Sequence, residues 1–288
     1  MQKLIYKNLK GQELILSKSR PFIFETIDNH ANVSTSIGYS SNTLDGVSID
    51  NVNIKEKILP ITGAIIAKSK EDLDKKRAYL SSLFNPKFES TLIYTNNAFT
   101  RKISGVVQDL SFQAPVAFMQ KFLVQILCPS PFWEDLYPKK EEVALWQGDF
   151  EFELEVPEDV GIEMGHRVSN LICNVCNSGD VPCGMKIQFR ALATTSNPSL
   201  FNVNTREFIK INQTLEMGDV LEINTEFSNK RIELIKSNGI RSNVFNWIDL
   251  DSEFLQLDVG DNIFRYDAET GLDNLELSIY YTPLYLGV

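Results

Sequence analysis

Period-two alternation organises the second half of this chain. In MKIQFRA, Met185, Ile187, Phe189 and Ala191 share one parity, and Lys186, Gln188 and Arg190 share the other. LELSIYY sets Leu275, Leu277, Ile279 and Tyr281 against Glu276, Ser278 and Tyr280. FEFELEV sets Phe150, Phe152, Leu154 and Val156 against Glu151, Glu153 and Glu155. Successive residues of a strand face opposite sides, so such segments are strands with one dry and one wet face. Several of them, broken by Gly, Asn and Pro, predict an antiparallel β-sandwich over residues 139–288.

The first half reads as mainly strand with one clear helix. Ser69-Lys-Glu-Asp72 is a helix start, with Ser69 as N-cap and acids where the helix dipole favours them. Leu73, Leu80, Leu83 and Phe84 then share a helical face and Asn85-Pro86 ends the run, which predicts a helix over about 69–84. Lys75, Lys76 and Arg77 form its solvated side. Residues 28–50, rich in Ser and Asn with an Asp45-Gly46 turn, predict a polar arm, either a mobile loop or a hairpin. Leu92 to Tyr94, the turn Asn96-Asn97, and Arg101 to Val107 predict a hairpin. In VAFMQKFLVQILC both parities are apolar, which predicts a strand starting near Val116 and covered on both sides.

Between the halves lies CPSPFWEDLYPKK. Pro129, Pro131 and Pro138 cannot donate to a sheet ladder, so they end the preceding strand. Charge changes sign at the same place. Residues 1–138 hold 16 Lys and Arg against 13 Asp and Glu, a net of +3, whereas residues 139–288 hold 12 against 25, a net of -13. A length of 288 residues suits two domains. The expected domains are therefore a β-rich one over 1–138 and the sandwich over 139–288, with Pro131, Phe132 and Trp133 packed at their junction. The acidic second half opposes binding to phosphate backbones. No apolar run approaches the roughly 20 residues that span a bilayer, and the start has no apolar signal core. The sequons at Asn32 and Asn212 accordingly carry little weight.

Chemistry is sparse. Phosphate-binding glycine loops, HExxH and GxSxG are absent. Only His30 and His166 could serve a nucleophile, and neither sits by a nucleophile motif. Cys173-Asn-Val-Cys176 has metal-ligand spacing, but in a strand those two residues face opposite ways, and with Cys128 and Cys183 they are expected as reduced thiols without metal. Trp133, Trp146 and Trp247 are expected to pack rather than stack on sugars. No enzyme activity and no cofactor are expected.

Taken in order, these pieces resemble the distal tail protein family of long-tailed, siphovirus-type phages. In the first half the resemblance rests on LPITGAIIAKSKEDLDKKRAYLSSLFNPK and CPSPFW. In the second it rests on NSGDVPCGMKIQFRA, NPSLFNVNTREFIKIN, MGDVLEINTE, LQLDVGDNIFRY and IYYTPLYLGV. It implies an N-terminal domain that forms a six-fold ring and a C-terminal galectin-like sandwich projecting outward. The whole would be a non-catalytic hub of an infectious phage or prophage tail tip. Implied partners are other copies of the chain, the major tail-tube protein, a tail-associated lysin or fibre protein and, in some phages, a receptor-binding protein. No nucleic acid and no membrane insertion are implied. The implied place is the virion tail tip, after assembly in the host cytoplasm. The alternative reading is a carbohydrate-binding module for host cell-wall glycans. Galectin sugar sites centre on His, Asn and Arg, however, and Asn197-Pro198-Ser199 has no His nearby.

Overall fold

The computed structural model describes residues 2–41, 45–143, 145–147, 166–168 and 171–288. The alternation read over Phe150–Val156 lies outside the described residues, as do the side chains of Trp146 and His166. The chain divides into two compact units. The first comprises Met1–Leu136 together with Leu284–Val288, and the second comprises Tyr137–Pro283.

The first unit opens with β1 (Lys3–Asn8), β2 (Glu13–Leu16), β3 (Phe22–Ile27), β4 (Thr35–Ser41), β5 (Val47–Ile54) and β6 (Lys57–Ile66). Helix α1 (Lys70–Leu83) follows, then β7 (Glu89–Thr95), β8 (Thr100–Phe112), β9 (Met119–Cys128) and β10 (Trp133–Asp135). Its main sheet runs β2-β1-β7-β8-β9-β6-β3. A parallel bridge from Ser17 to Ile23 and a 2.8 Å hydrogen bond from the Phe24 N–H to the Ser17 carbonyl bring β2 back to β3, so the sheet wraps on itself. Inside lie Leu4, Tyr6, Leu16, Leu59, Ile61, Leu92, Phe122, Val124 and Ile126, all buried. Burying each such side chain contributes about 1.5–3 kcal/mol relative to leaving it in water.

Helix α1 starts where Ser69 Oγ accepts the Asp72 N–H at 3.1 Å. It delivers Leu73, Leu80 and Leu83 to the same core, and the Phe84 ring meets Tyr6 edge-on at 4.6 Å. Strand β9 differs from expectation. It begins at Met119, not Val116: Val116 and Phe118 are exposed in the turn before it, where Ala117 takes φ 53°. Only the parity of Phe122, Val124 and Ile126 is fully buried; Lys121 and Gln125 keep the other parity partly wet.

The second unit contains β11 (Lys139–Glu142), β12 (Leu145–Gln147), β13 (His166–Val168), β14 (Ile172–Asn177), β15 (Met185–Ala191), β16 (Thr195–Ser196) and β17 (Ser199–Asn202). It continues with β18 (Phe208–Lys210), β19 (Thr214–Leu215), β20 (Val220–Asn224), β21 (Arg231–Ile235), β22 (Arg241–Asn243), β23 (Gly260–Asp267) and β24 (Leu275–Tyr281). One sheet runs β11-β24-β15-β20-β21-β22 and another β14-β23-β17-β18, all pairs antiparallel. Met185, Ile187, Phe189 and Ala191 of β15 and Leu275, Leu277, Ile279 and Tyr281 of β24 are buried. Val175, Leu200, Ile209, Phe264 and Tyr266 are the buried apolar residues of the other sheet. The fold class is thus mainly β, with a single α-helix among the described residues, as the alternation required.

The chain then returns to the first unit as β25 (Leu284–Tyr285), which pairs with β10 through Trp133↔Tyr285 and Glu134↔Leu284. Strand β10 in turn pairs with β8. Side chains from elsewhere in the first unit anchor the return. The Lys57 ammonium donates to the Leu286 carbonyl at 2.7 Å, and Arg101 Nη1 donates to the Gly287 carbonyl at 2.6 Å. The Arg101 guanidinium lies 3.4 Å from the centre of the Tyr285 ring, whose hydroxyl bonds Asp135 at 3.2 Å.

Candidate interaction surfaces

Strands β4 and β5 form a two-stranded hairpin of their own. It runs to Ile54, beyond the Asp50 end read from the sequence. Its pairing aligns Ile37↔Val52, Tyr39↔Ile49 and Ser41↔Val47, and directly opposed residues share a face. The register shifts between Gly38 and Tyr39, so that Asp50 has no opposite number. That bulge is decisive. Val47 and Ile49 are odd-numbered and Val52 and Ile54 even-numbered; one extra residue re-phases them onto one side. Without it, Ser48 and Asp50 would interrupt the apolar face.

The arm therefore has two unlike sides. One carries Ile37 (50 % exposed), Tyr39 (67 %), Val47 (56 %), Ile49 (65 %) and Val52 (56 %). The other carries Ser36, Gly38, Ser40, Ser48, Asn51 and Asn53. On that side Asn51 Oδ1 accepts the Gly38 N–H at 3.0 Å. Ser40 Oγ bonds the bulge residue Asp50 at 3.1 Å.

At the arm's root lies a cleft of about 280 Å³ lined by Asn29, Val33, Ile54, Lys57, Pro131 and Leu286. Next to it in sequence, Trp133 is fully buried in the first unit's core. Its indole N–H donates to the His30 carbonyl at 2.9 Å, and its ring tilts against Tyr94 with centroids 6.3 Å apart. Pro131 and Phe132 are half-buried.

The second unit shows a charged outer sheet face. Glu222 receives Gln188 Nε2 at 3.1 Å and Arg241 Nη1 at 3.2 Å, with the Lys186 ammonium at 3.6 Å. Arg241 also reaches Glu233 at 3.4 Å. A cleft of about 400 Å³ beside this network is lined by Lys140, Gln188, Arg190, Glu276, Ser278 and Tyr280. Its charges are neutralised in place, Lys140 by Glu142 and Arg190 by Glu276. Asn197, the residue placed nearest a galectin sugar motif, gives its side-chain amide to Glu269 at 2.7 Å.

The cysteines are free thiols. Along β14, Cys176 is exposed and Cys173 sits on the opposite, half-buried side. Burial pushes the Cys128 and Cys183 thiols up to about 12 and the Cys173 thiol to about 11. Groups that keep their protons so firmly are poor nucleophiles. Among the described residues, no cluster of three His, Cys, Asp or Glu has metal-holding geometry.

A wrapped β-unit with a protruding hairpin, followed by a two-sheet unit, has known counterparts. The family model of a phage tail protein RIFT-related domain matches residues 9–128, and that of the siphovirus-type tail component C-terminal domain matches residues 178–285. The chain belongs to the distal tail protein family of siphovirus-type phages. Solved structures of similar fold span the whole chain. The phage SPP1 Dit protein, described as a paradigm of hub adsorption apparatus in Gram-positive infecting phages, matches with TM-score 0.72 and 12% identity, over 99% of this chain and 100% of that one. A chain of the phage P2 baseplate in its activated conformation with calcium matches at TM-score 0.56 and 13% identity, and one with strontium at 0.57 and 12%, each over 100% of both chains. No curated protein matches the sequence.

The hairpin arm was legible as an arm, but its apolar face was not. The signal that could have found it is the pair of out-of-phase runs Val47, Ile49 and Val52, Ile54 around Asp50.

Proposed function

We propose that this chain is the structural hub of a phage tail tip, without catalytic activity. Copies of residues 1–138 form a ring, six-fold by analogy with the family, and residues 139–288 project from it. The ring joins the major tail-tube protein to a tail-associated lysin or fibre protein and to the host-adhesion device. The protein works at the virion tail tip after assembly in the host cytoplasm. Pro131, Phe132 and Trp133 close the ring-forming domain where the chain leaves for the second.

The arm carries this reading. Five exposed apolar side chains on one face of a hairpin are costly in water, and a face re-phased by a bulge to stay apolar is built for cover. The whole-chain likeness to SPP1 Dit and to phage P2 baseplate chains supports a hub over other uses of the fold.

The test is light scattering of the full chain over a concentration series, with negative-stain microscopy alone and with the tail-tube protein. Six-fold rings in either condition support the hub. A strict monomer in both, with tight wall-glycan binding by residues 139–288, overturns it in favour of a carbohydrate-binding module.

A further inference from the structure

A closed ring needs two different surfaces on each copy, one to give and one to receive. The arm is one. The barrel wall offers a second. Register places Ile5 opposite Ile15 of β2 on one side and Ile93 of β7 on the other, and Ile93 opposite Lys102 of β8. Their neighbours along the strands, Leu4, Tyr6, Leu14, Leu16, Leu92 and Tyr94, are buried, so the isoleucine row lies on the side of the sheet away from the core, with Ile15 48 % exposed and Ile5 and Ile93 half-buried. Lys3 and Lys7 flank the row two residues either side of Ile5 on β1. Glu13 lies 3.6 Å from Lys7 in an exposed pairing of the kind that contributes little, and Glu134 lies 3.5 Å from Lys102 in a half-buried one.

Charge selects which part of a neighbour the arm meets. Between Thr35 and Ile54 the charged residues are Asp45 and Asp50, with no Lys or Arg. Outside the arm, the first unit holds 16 Lys and Arg against 11 Asp and Glu, whereas the second unit holds 12 against 25. An acidic, apolar arm is drawn to the first unit of another copy and repelled by its second.

We infer that the arm of one copy lays its apolar face across the Ile15–Ile5–Ile93 row of the next copy. The arm's polar side, Ser36, Ser40, Ser48, Asn51 and Asn53, remains in water. Giver and receiver are different patches, so the contact is head-to-tail and propagates until it closes, instead of stopping at a dimer. The inference rests on the hub reading and names the surfaces that make its ring.

The experiment uses the full chain with Cys176→Ser to remove the exposed thiol. Val52→Cys and Ile15→Cys are made singly and together, both at exposed positions that leave the core intact. Each protein is treated with a short bis-maleimide under whichever condition, alone or with the tail-tube protein, gives rings in negative stain. Denaturing gels are then run. An equimolar mixture of the two single variants should give linked pairs, and the double variant a ladder beyond the dimer. The single variants should give neither.

Linked dimers from Val52→Cys alone would mean that arms pair with each other, and would overturn the inference. An internal link in the double variant without a ladder would mean that the arm folds onto its own wall, which overturns it equally. Rings without any link would overturn the inference and leave the hub standing. Failure to associate in every condition would remove both.

Discussion

The indole N–H of Trp133 donates to the carbonyl of His30 across 103 residues of sequence, at 2.9 Å. It ties the last strand before the chain leaves the first unit to the segment from which the arm emerges. The ring is also fully buried, so packing and hydrogen bond can be separated by substitution. Trp133→Ala should cost about 3–5 kcal/mol by opening a large cavity. Trp133→Phe keeps most of the ring and removes only the donor, and should cost about 1–3 kcal/mol for the unpaired His30 carbonyl. Chemical denaturation measures both. A change within about 0.5 kcal/mol for the alanine variant, the range of an ordinary surface substitution, would contradict the burial.

The returning segment Leu284–Val288 completes the first unit and does more than end it. Lys57 is only 6 % exposed, and burial holds its ammonium below the usual lysine range. Its hydrogen-bond acceptor is the Leu286 carbonyl, and Arg101 depends likewise on Gly287. Truncation after Pro283 would leave both cations without these acceptors. The expected cost to the first unit is about 2 kcal/mol or more, since hydrogen bonds to charged groups each contribute about 1.5–3 kcal/mol. Protection of first-unit amides against hydrogen exchange should fall, while protection in β15, β20 and β24 stays. Equal loss in both units would argue against a local role.

The sequence made some of this fold plain and hid the rest for physical reasons. MKIQFRA and LELSIYY announce themselves because one side of each strand is dry and the other wet. VAFMQKFLVQILC misleads at its start. Val116 and Phe118 are apolar but sit in a turn, and periodicity cannot distinguish an exposed apolar tip from a buried strand end. In the arm, the bulge at Asp50 erases the alternation that would reveal its apolar face. Strand β25 is too short for any period, and distant Lys57 and Arg101 fix the segment that contains it.

Gly63 on β6 shows how tightly the barrel closes. A Cβ built there would stand 2.5 Å from Phe122 Cζ and 2.7 Å from the Ile23 carbonyl oxygen. Phe122 is the residue opposite Gly63 on β9, and Phe24 is opposite it on β3. Gly63→Ala must push the Phe122 ring or part β3 from β6. The expected loss is about 1–3 kcal/mol, as for other overpacked cores. Gly11→Ala is a useful comparison. Nothing lies within 4 Å of a Cβ there, and only the strain of φ 77° opposes it. Combining Gly63→Ala with Phe122→Leu should restore part of the loss in thermal unfolding; no restoration would place the clash at the Ile23 backbone.

The buried thiols make the fold sensitive to alkali, and the direction follows from linkage. Burial raises Cys128 and Cys183 from an ordinary thiol value of 9.0 to about 12. Burial also raises the Tyr6 hydroxyl above its usual 10.0. A group whose folded value is raised contributes stability that is fully present below the unfolded value and is lost as pH climbs to the folded one. Stability should therefore fall between about pH 9 and pH 12. Lys57, whose folded value is lowered, opposes the trend in the same region. The Cys128→Ala, Cys183→Ala double variant should start less stable near pH 7, through lost packing, but decline less steeply above about pH 9. Unfolding midpoints across that range provide the measurement. At about pH 8, below the ordinary thiol value, a thiol reagent should label Cys176 at once in the native protein, and Cys128 and Cys183 only after denaturant is added. Prompt native labelling of Cys128 would show that the barrel opens at β9 far more readily than its packing implies, and would remove the basis for the alkaline prediction.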